Sequence, residues 1–165
     1  WQTLHGFYQK TFYEHGNLPV ISQACFAELA ETLGDRLVVF LAQLDDEPIA
    51  AAICLRSDDT LYGRYWGCAQ DYDGLHFETC YYQGIEYCIA HGIDRYEPGA
   101  QGEHKVARGF LPVLTQSAHY LADERFQSAV DDFLARERPA VAQWANDLTH
   151  EGPYRAEILE QLPRG

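Results

Sequence analysis

Methionine is absent from the 165 residues. The segment therefore carries no initiator and is expected to be the C-terminal part of a longer chain. Long apolar runs are missing too. None approaches the roughly 18 residues that span a bilayer, and the first residues lack the basic-then-apolar pattern of a secretory signal. No membrane span is expected, and the piece is read as cytoplasmic. Paired-cysteine spacing is a third absence. Cys25, Cys54, Cys68, Cys80 and Cys88 contain no CxxC, so neither a zinc site nor a disulfide framework is suggested and no metal is expected. A reducing compartment fits this usage. Cations are scarce: 12 Lys and Arg stand against 25 Asp and Glu, for a formal charge of -13. Binding a phosphate backbone needs clustered basic groups that release counterions, so no nucleic-acid partner is expected. We read the acidity as a solubility feature.

What is present is core-forming material. With 47% hydrophobic and 13% aromatic residues, the chain suffices for one substantial core and is short for two ordinary domains, so residues 1–165 are read as one domain. Leu4, Phe7, Tyr8, Thr11 and Phe12 recur at helical spacing and predict a first helix ending near Gly16. Ser22 can cap a second helix carrying Phe26, Leu29, Ala30 and Leu33, with Gly34 as its stop. The apolar run Leu37–Leu41, the turn-forming Asp45-Asp46-Glu47-Pro48 and a second run from Ile49 to Leu55 predict a hairpin. After Ser57-Asp58-Asp59, the stretch Leu61–Trp66 reads as a third antiparallel strand.

From Leu75 to His91, residues Phe77, Tyr81, Gly84, Cys88 and His91 share one helical face, and Gly92 can end that helix. Ile93 to Glu97 is short enough for a strand. Pro112 to Leu121, with Val113, Thr115 and Tyr120, predicts another. Phe126, Val130, Phe133 and Leu134 predict a helix that breaks at Pro139, beyond which Val141, Trp144, Ala145 and Leu148 continue the stripe. The fold class is α/β of the α+β kind: a mixed sheet with an antiparallel meander, flanking helices and a helical C-terminal extension.

The order of two helices, a three-strand meander, a helix, a strand, a connection and a strand resembles the acetyltransferase fold of the GNAT superfamily. Two stretches narrow the resemblance. Leu75-His76-Phe77-Glu78-Thr79-Cys80-Tyr81-Tyr82-Gln83-Gly84-Ile85-Glu86-Tyr87 is one; the other runs from Glu97 to Pro112 and contains Gly99-Ala100-Gln101-Gly102-Glu103-His104-Lys105-Val106-Ala107-Arg108. Both resemble Fem-like acyltransferases associated with peptidoglycan biosynthesis or recognition. The resemblance implies acyl transfer to an amine, with a small-molecule or cell-wall precursor as acceptor and the missing N-terminal portion of the same protein as a partner. Acyl-CoA is the donor of the wider superfamily, and true Fem transferases take activated amino acids from tRNA; no tRNA donor is inferred for this chain. The Gln/Arg-x-x-Gly-x-Gly/Ala loop of the acetyl-CoA enzymes is absent, however: the junction reads Cys68-Ala69-Gln70-Asp71-Tyr72-Asp73-Gly74. Acetyl-CoA is therefore expected to bind weakly or not detectably, and a tRNA donor would need a basic surface from elsewhere. The cofactor is left unassigned.

Acyl transfer to an amine needs a base, donors for the developing oxyanion and an acid for the leaving group. Glu97, Glu103, His104, Lys105 and Arg108 collect those types in one segment, and its glycines permit close backbone approach. Glu103 or His104 is assigned as base, while Lys105 and Arg108 are assigned to an anionic donor or acceptor. Gln101 and Glu97 in the same segment join them as substrate-binding candidates. Composition alone reads this segment as a solvated loop with local charge pairs; the family resemblance tips the balance toward function. Glu78, near the start of the central helix, is a catalytic candidate whose plainer role is to interact with the helix dipole. Tyr65, Trp66 and Tyr82 are candidates for lining a groove, against a packing role in the core. His119 is read as a hydrogen-bonded structural residue. Two noncatalytic readings stand beside the enzyme: a peptidoglycan- or peptide-binding module, and a scaffold half of a two-domain transferase.

Overall fold

The computed structural model describes residues 1–99 and 102–161. They fall into two compact units, Trp1–Ala100 and Gln101–Gly165, each described by itself below.

The first unit opens with α1 (Gln2–Glu14) and α2 (Gln23–Leu33). Ser22 caps α2 by accepting the Cys25 N–H at 3.2 Å, and Gly34, at φ 54°, ends it. A sheet in the order β1-β2-β3-β4 follows, from Leu37–Leu44, Glu47–Arg56, Thr60–Cys68 and Arg95–Glu97. The first three strands are the antiparallel meander read from sequence, each longer than predicted, with β1 still starting at Leu37. Asp45 and Asp46 both take positive φ, 52° and 67°, as a two-residue hairpin turn that matches the strand twist requires. The fourth strand, three residues of the stretch predicted over Ile93 to Glu97, runs parallel to β3.

The sheet buries both faces in its middle. On one side Val38, Cys54, Leu61, Cys88 and Ile93 form a cluster; on the other Tyr8, Phe26 and Ile53 do, with Tyr65 against them. The meander thus separates α1 and α2 from the central helix. Tyr8 is 2% exposed, yet its hydroxyl accepts the backbone N–H groups of Val20 and Ile21 at 3.2 and 3.3 Å. Burial of a large aromatic ring is thereby obtained without an unsatisfied oxygen. Gly67 lets α1 lie directly on β3, because a Cβ there would overlap the Phe7 backbone.

The central helix spans Leu75 to His91 as predicted, but not as one α-helix. A short α3 (Leu75–Phe77) and α4 (Gln83–His91) flank a π-helical turn, Glu78–Tyr82. Thr79 and Tyr81 are both buried, two positions apart, a spacing that one face of an α-helix does not provide.

The second unit differs from two expectations. Pro112 to Leu121 is not a strand; no regular structure is assigned from Phe110 to Leu121. Its β-formers have no partner strand among the described residues, and propensity without pairing does not hold a strand. His119 accordingly lies in an exposed irregular stretch, its ring 3.0 Å from the Ser117 hydroxyl. Nor does Pro139 break the helix: α5 runs unbroken from Glu124 to Glu151 with the proline inside it. A proline removes one backbone hydrogen bond and crowds the preceding turn, while the other residues of this 28-residue helix keep the ladder on either side. A 3-10 helix, Glu103–Arg108, precedes the irregular stretch, and α6 (Ala156–Leu159) follows α5.

Candidate functional site

Two one-residue insertions shape the first unit where chemistry-bearing side chains collect. The first is a β-bulge in β3: Ile53 pairs with Tyr65 and Cys54 with Gly63, so Arg64 is the extra residue. A single insertion reverses which face every later side chain joins. Leu61 packs on the central-helix side and Tyr65 on the α1 side, although residues four apart in a regular strand share a face. Trp66 consequently turns to the side of the central helix. There it meets His76, ring centroids 5.3 Å apart in an edge-on arrangement. His76 also lies 5.5 Å from Phe77 and 5.4 Å from Tyr81.

The second insertion is the π turn. It carries Glu78, which is exposed, and Tyr82, which is 44% exposed. The Glu78 carboxylate accepts a hydrogen bond from the Gln83 amide at 2.8 Å. That bond ties Glu78, two positions beyond His76 in the chain, to the first residue of α4.

A backbone edge completes this region. Strand β4 pairs with β3 only at Thr60, Leu61 and Tyr62, and the chain then departs through Pro98, whose backbone comes within 3.4 Å of the Cβ position at Gly63. Beyond Tyr62, β3 has no strand partner on that side among the described residues. A strand edge without a strand partner can offer its N–H and C=O groups to an extended ligand.

The candidates from sequence are distributed as follows. Glu78, Trp66 and Tyr82 belong to the region just described. Glu97, exposed, closes β4 opposite Tyr62. Tyr65 packs among Tyr8, Phe12 and Phe26, 5.0, 6.1 and 6.1 Å from their rings. Glu103, His104, Lys105 and Arg108 share the 3-10 helix of the second unit. In that helix Arg108 donates to the His104 carbonyl at 2.7 Å, and the Phe110 N–H donates to the Lys105 carbonyl at 3.1 Å. Tyr154 donates to the Gly109 carbonyl at 2.8 Å and fixes the end of the turn. Gln101 lies outside the described residues.

Two residues escaped sequence reasoning. His76 carries no role in the sequence analysis, and its partner Trp66 comes from a strand. Lys10 answers the question raised by the acidic junction after β3. Its ammonium donates to the Cys68 and Ala69 carbonyls at 3.2 and 2.9 Å and pairs with Glu14 at 3.4 Å, so α1 itself supplies the cation at that junction. An apolar stripe with one lysine on its border was the only available signal.

The buried thiols are poor nucleophiles. Burial pushes Cys54 up to about 12 and raises Cys88 as well, leaving both as neutral thiols at physiological pH. Among the described residues no group of three or more His, Cys, Asp or Glu is placed to hold a metal ion, and no helix is long and apolar enough to cross a membrane.

The FemAB-like family, described by peptidoglycan biosynthesis/recognition, matches residues 1–156. No curated protein matches the chain.

Proposed function

Because the chain belongs to the FemAB-like family of peptidoglycan biosynthesis and recognition, we propose that it transfers an acyl or aminoacyl group to an amine of a cell-wall precursor in a direct ternary complex. The observation that carries this reading is the β3 edge without a strand partner beyond Tyr62, with Trp66 of that strand meeting His76, and Glu78 two residues after His76 in the π turn. The layout is read as GNAT-like, with donor and acceptor meeting where the sheet stops pairing. A ligand laid along the edge gains main-chain hydrogen bonds and fixed orientation, and orientation is a large share of the barrier to a two-substrate reaction.

The chemistry follows from those groups. An ammonium acceptor must first lose a proton, and Glu78, which accepts a hydrogen bond from Gln83, is the carboxylate to which we give that role. The amine nitrogen then bonds to the acyl carbon, and an N–H of the strand edge stabilises the developing oxyanion. Collapse breaks the bond to the donor's leaving group, which departs with a proton. No enzyme nucleophile is needed, in keeping with buried thiols whose ionisation is suppressed. The Glu103–Arg108 helix is the rival location for the same chemistry, with Glu103 or His104 as base.

A noncatalytic binding module is the second reading, and Lys10 favours it. That lysine is committed to two carbonyls and Glu14, beside a loop containing Asp71 and Asp73, which gives a donor pyrophosphate little to bind.

The test is mass spectrometry of a soluble muropeptide bearing a free side-chain amine, incubated with the full-length protein and either acetyl-CoA or aminoacyl-tRNA. Transfer appears as a mass gain on that amine, lost in Glu78→Gln. Binding of the muropeptide in calorimetry with no mass gain from either donor would leave the noncatalytic module in its place.

A further inference from the structure

The π turn has its own lock. At its centre the Cys80 carbonyl accepts a hydrogen bond from the Tyr96 hydroxyl, which reaches across from β4. Directly beneath, a Cβ at Gly84 would overlap the Tyr96 ring. Glycine inside a helix is less favourable than alanine, and here the missing methyl is the space the tyrosine occupies. Burial raises the ionisation of Tyr96 far above the ordinary phenol range, so its hydroxyl stays a donor. Donor, carbonyl and vacated space therefore converge on the five residues that leave the α-helical register.

An inserted residue turns everything before it by about 100° relative to an unbroken α-helix. What precedes the π turn is α3, and α3 carries His76. On the opposite element the bulge at Arg64 re-aims Trp66. Bulges of both kinds recur beside functional sites, and these two end in one contact, the Trp66–His76 pair.

We infer that Tyr96 and Gly84 are positioning residues: they lock the helix in its π register and so hold His76 against Trp66. The lock acts through the backbone, whatever ligand the site takes, and goes beyond the transfer reading. It also couples β4 to the site, since Tyr96 pairs with Leu61 in the sheet while its hydroxyl sets the helix.

Tyr96→Phe in the full-length protein removes the hydroxyl and keeps the ring. NMR then reads three things: Trp66–His76 cross-peaks, Tyr8–Tyr65 cross-peaks from the remote core, and amide exchange through Tyr81–Ile85. The lock requires that the Trp66–His76 cross-peaks fall by at least about half while the Tyr8–Tyr65 set is kept. Local exchange should speed up roughly five- to tenfold, the size of one lost hydrogen bond. Should that variant fail to fold, Gly84→Ala displaces the ring instead, with the same expected loss. Unchanged Trp66–His76 cross-peaks in either folded variant overturn the inference. So does failure of both to fold, which would make the contact a requirement of the core.

Discussion

The two units solve the burial problem differently. In Trp1–Ala100 a four-stranded sheet hides side chains on both faces, and Tyr8, Phe26, Cys54 and Leu61 are each at most 2% exposed. In the second unit, no described residue is fully buried; α5 carries Phe126, Phe133, Val141 and Trp144 at 59%, 52%, 41% and 52% exposure. Apolar side chains stabilise by leaving water, so similar residues carry unequal energetic weight in the two regions. Unequal precision follows. A packed sheet can hold Trp66 and His76 to a fixed separation, whereas the Glu103–Arg108 helix has no buried residue.

The contrast is sharpest for a matched pair of truncations. Phe26→Ala, in the tightest cluster, should cost about 3–5 kcal/mol, while Phe133→Ala should stay within about 0.5 kcal/mol. Denaturant unfolding of both variants checks this, and a Phe133 cost equal to that of Phe26 would erase the distinction. Next in size is Pro139→Ala. Restoring the backbone N–H inside α5 should stabilise that helix by up to about 3 kcal/mol, seen as slower amide exchange around position 139. Faster exchange there would contradict this and show that the proline supports α5.

Helix caps give a smaller, cleaner contrast. Ser22 and Asp123 both accept N–H groups at a helix start, and either change to alanine should cost about 1 kcal/mol. The Ser22→Ala loss should appear in global unfolding, because α2 belongs to the packed core. The Asp123→Ala loss should appear in local exchange at the start of α5. Reversal of that pattern would reverse the ranking of the units.

The mildest effect concerns pH. Hydrogen bonds from Ser57, then Thr60, hold the Asp59 carboxyl below its ordinary 3.8. A lowered folded value means stabilisation that is present above the unfolded value and lost as pH falls through the folded one. The β2–β3 turn should therefore weaken in acid, and Asp59→Asn should flatten the dependence of the urea midpoint between about pH 5 and pH 2. An unaltered slope would remove Asp59 from the turn's energetics.

How much of this was legible in the sequence depends on how each feature is encoded. The meander was legible because apolar runs and the Asp45-Asp46 turn write it locally. Helix caps at Ser22, Gly34 and Gly92 were legible for the same reason. The π turn was not, since one added residue leaves no compositional mark and the face from Phe77 to His91 still counts correctly in an α-helical register. The Arg64 bulge was equally silent, and with it the meeting of Trp66 and His76, which depends on two slips in two elements. Pro112 to Leu121 misled because β-formers need a partner that no propensity supplies. Pro139 misled because the apolar stripe on its two sides, read as two segments, belongs to one helix. As for the site, the segment through Lys105 was conspicuous for its charges, whereas the β3 edge is backbone and has no residue signature at all.

The central claim is that the ligand site lies on the open β3 edge of the first unit. It is tested most directly by mapping amide and side-chain shifts of the labelled full-length protein as an amine-bearing muropeptide is added. The account requires the perturbations to concentrate at Gly63–Trp66 and His76–Tyr82. Perturbations confined to Glu103–Arg108 would contradict it and give the site to the second unit.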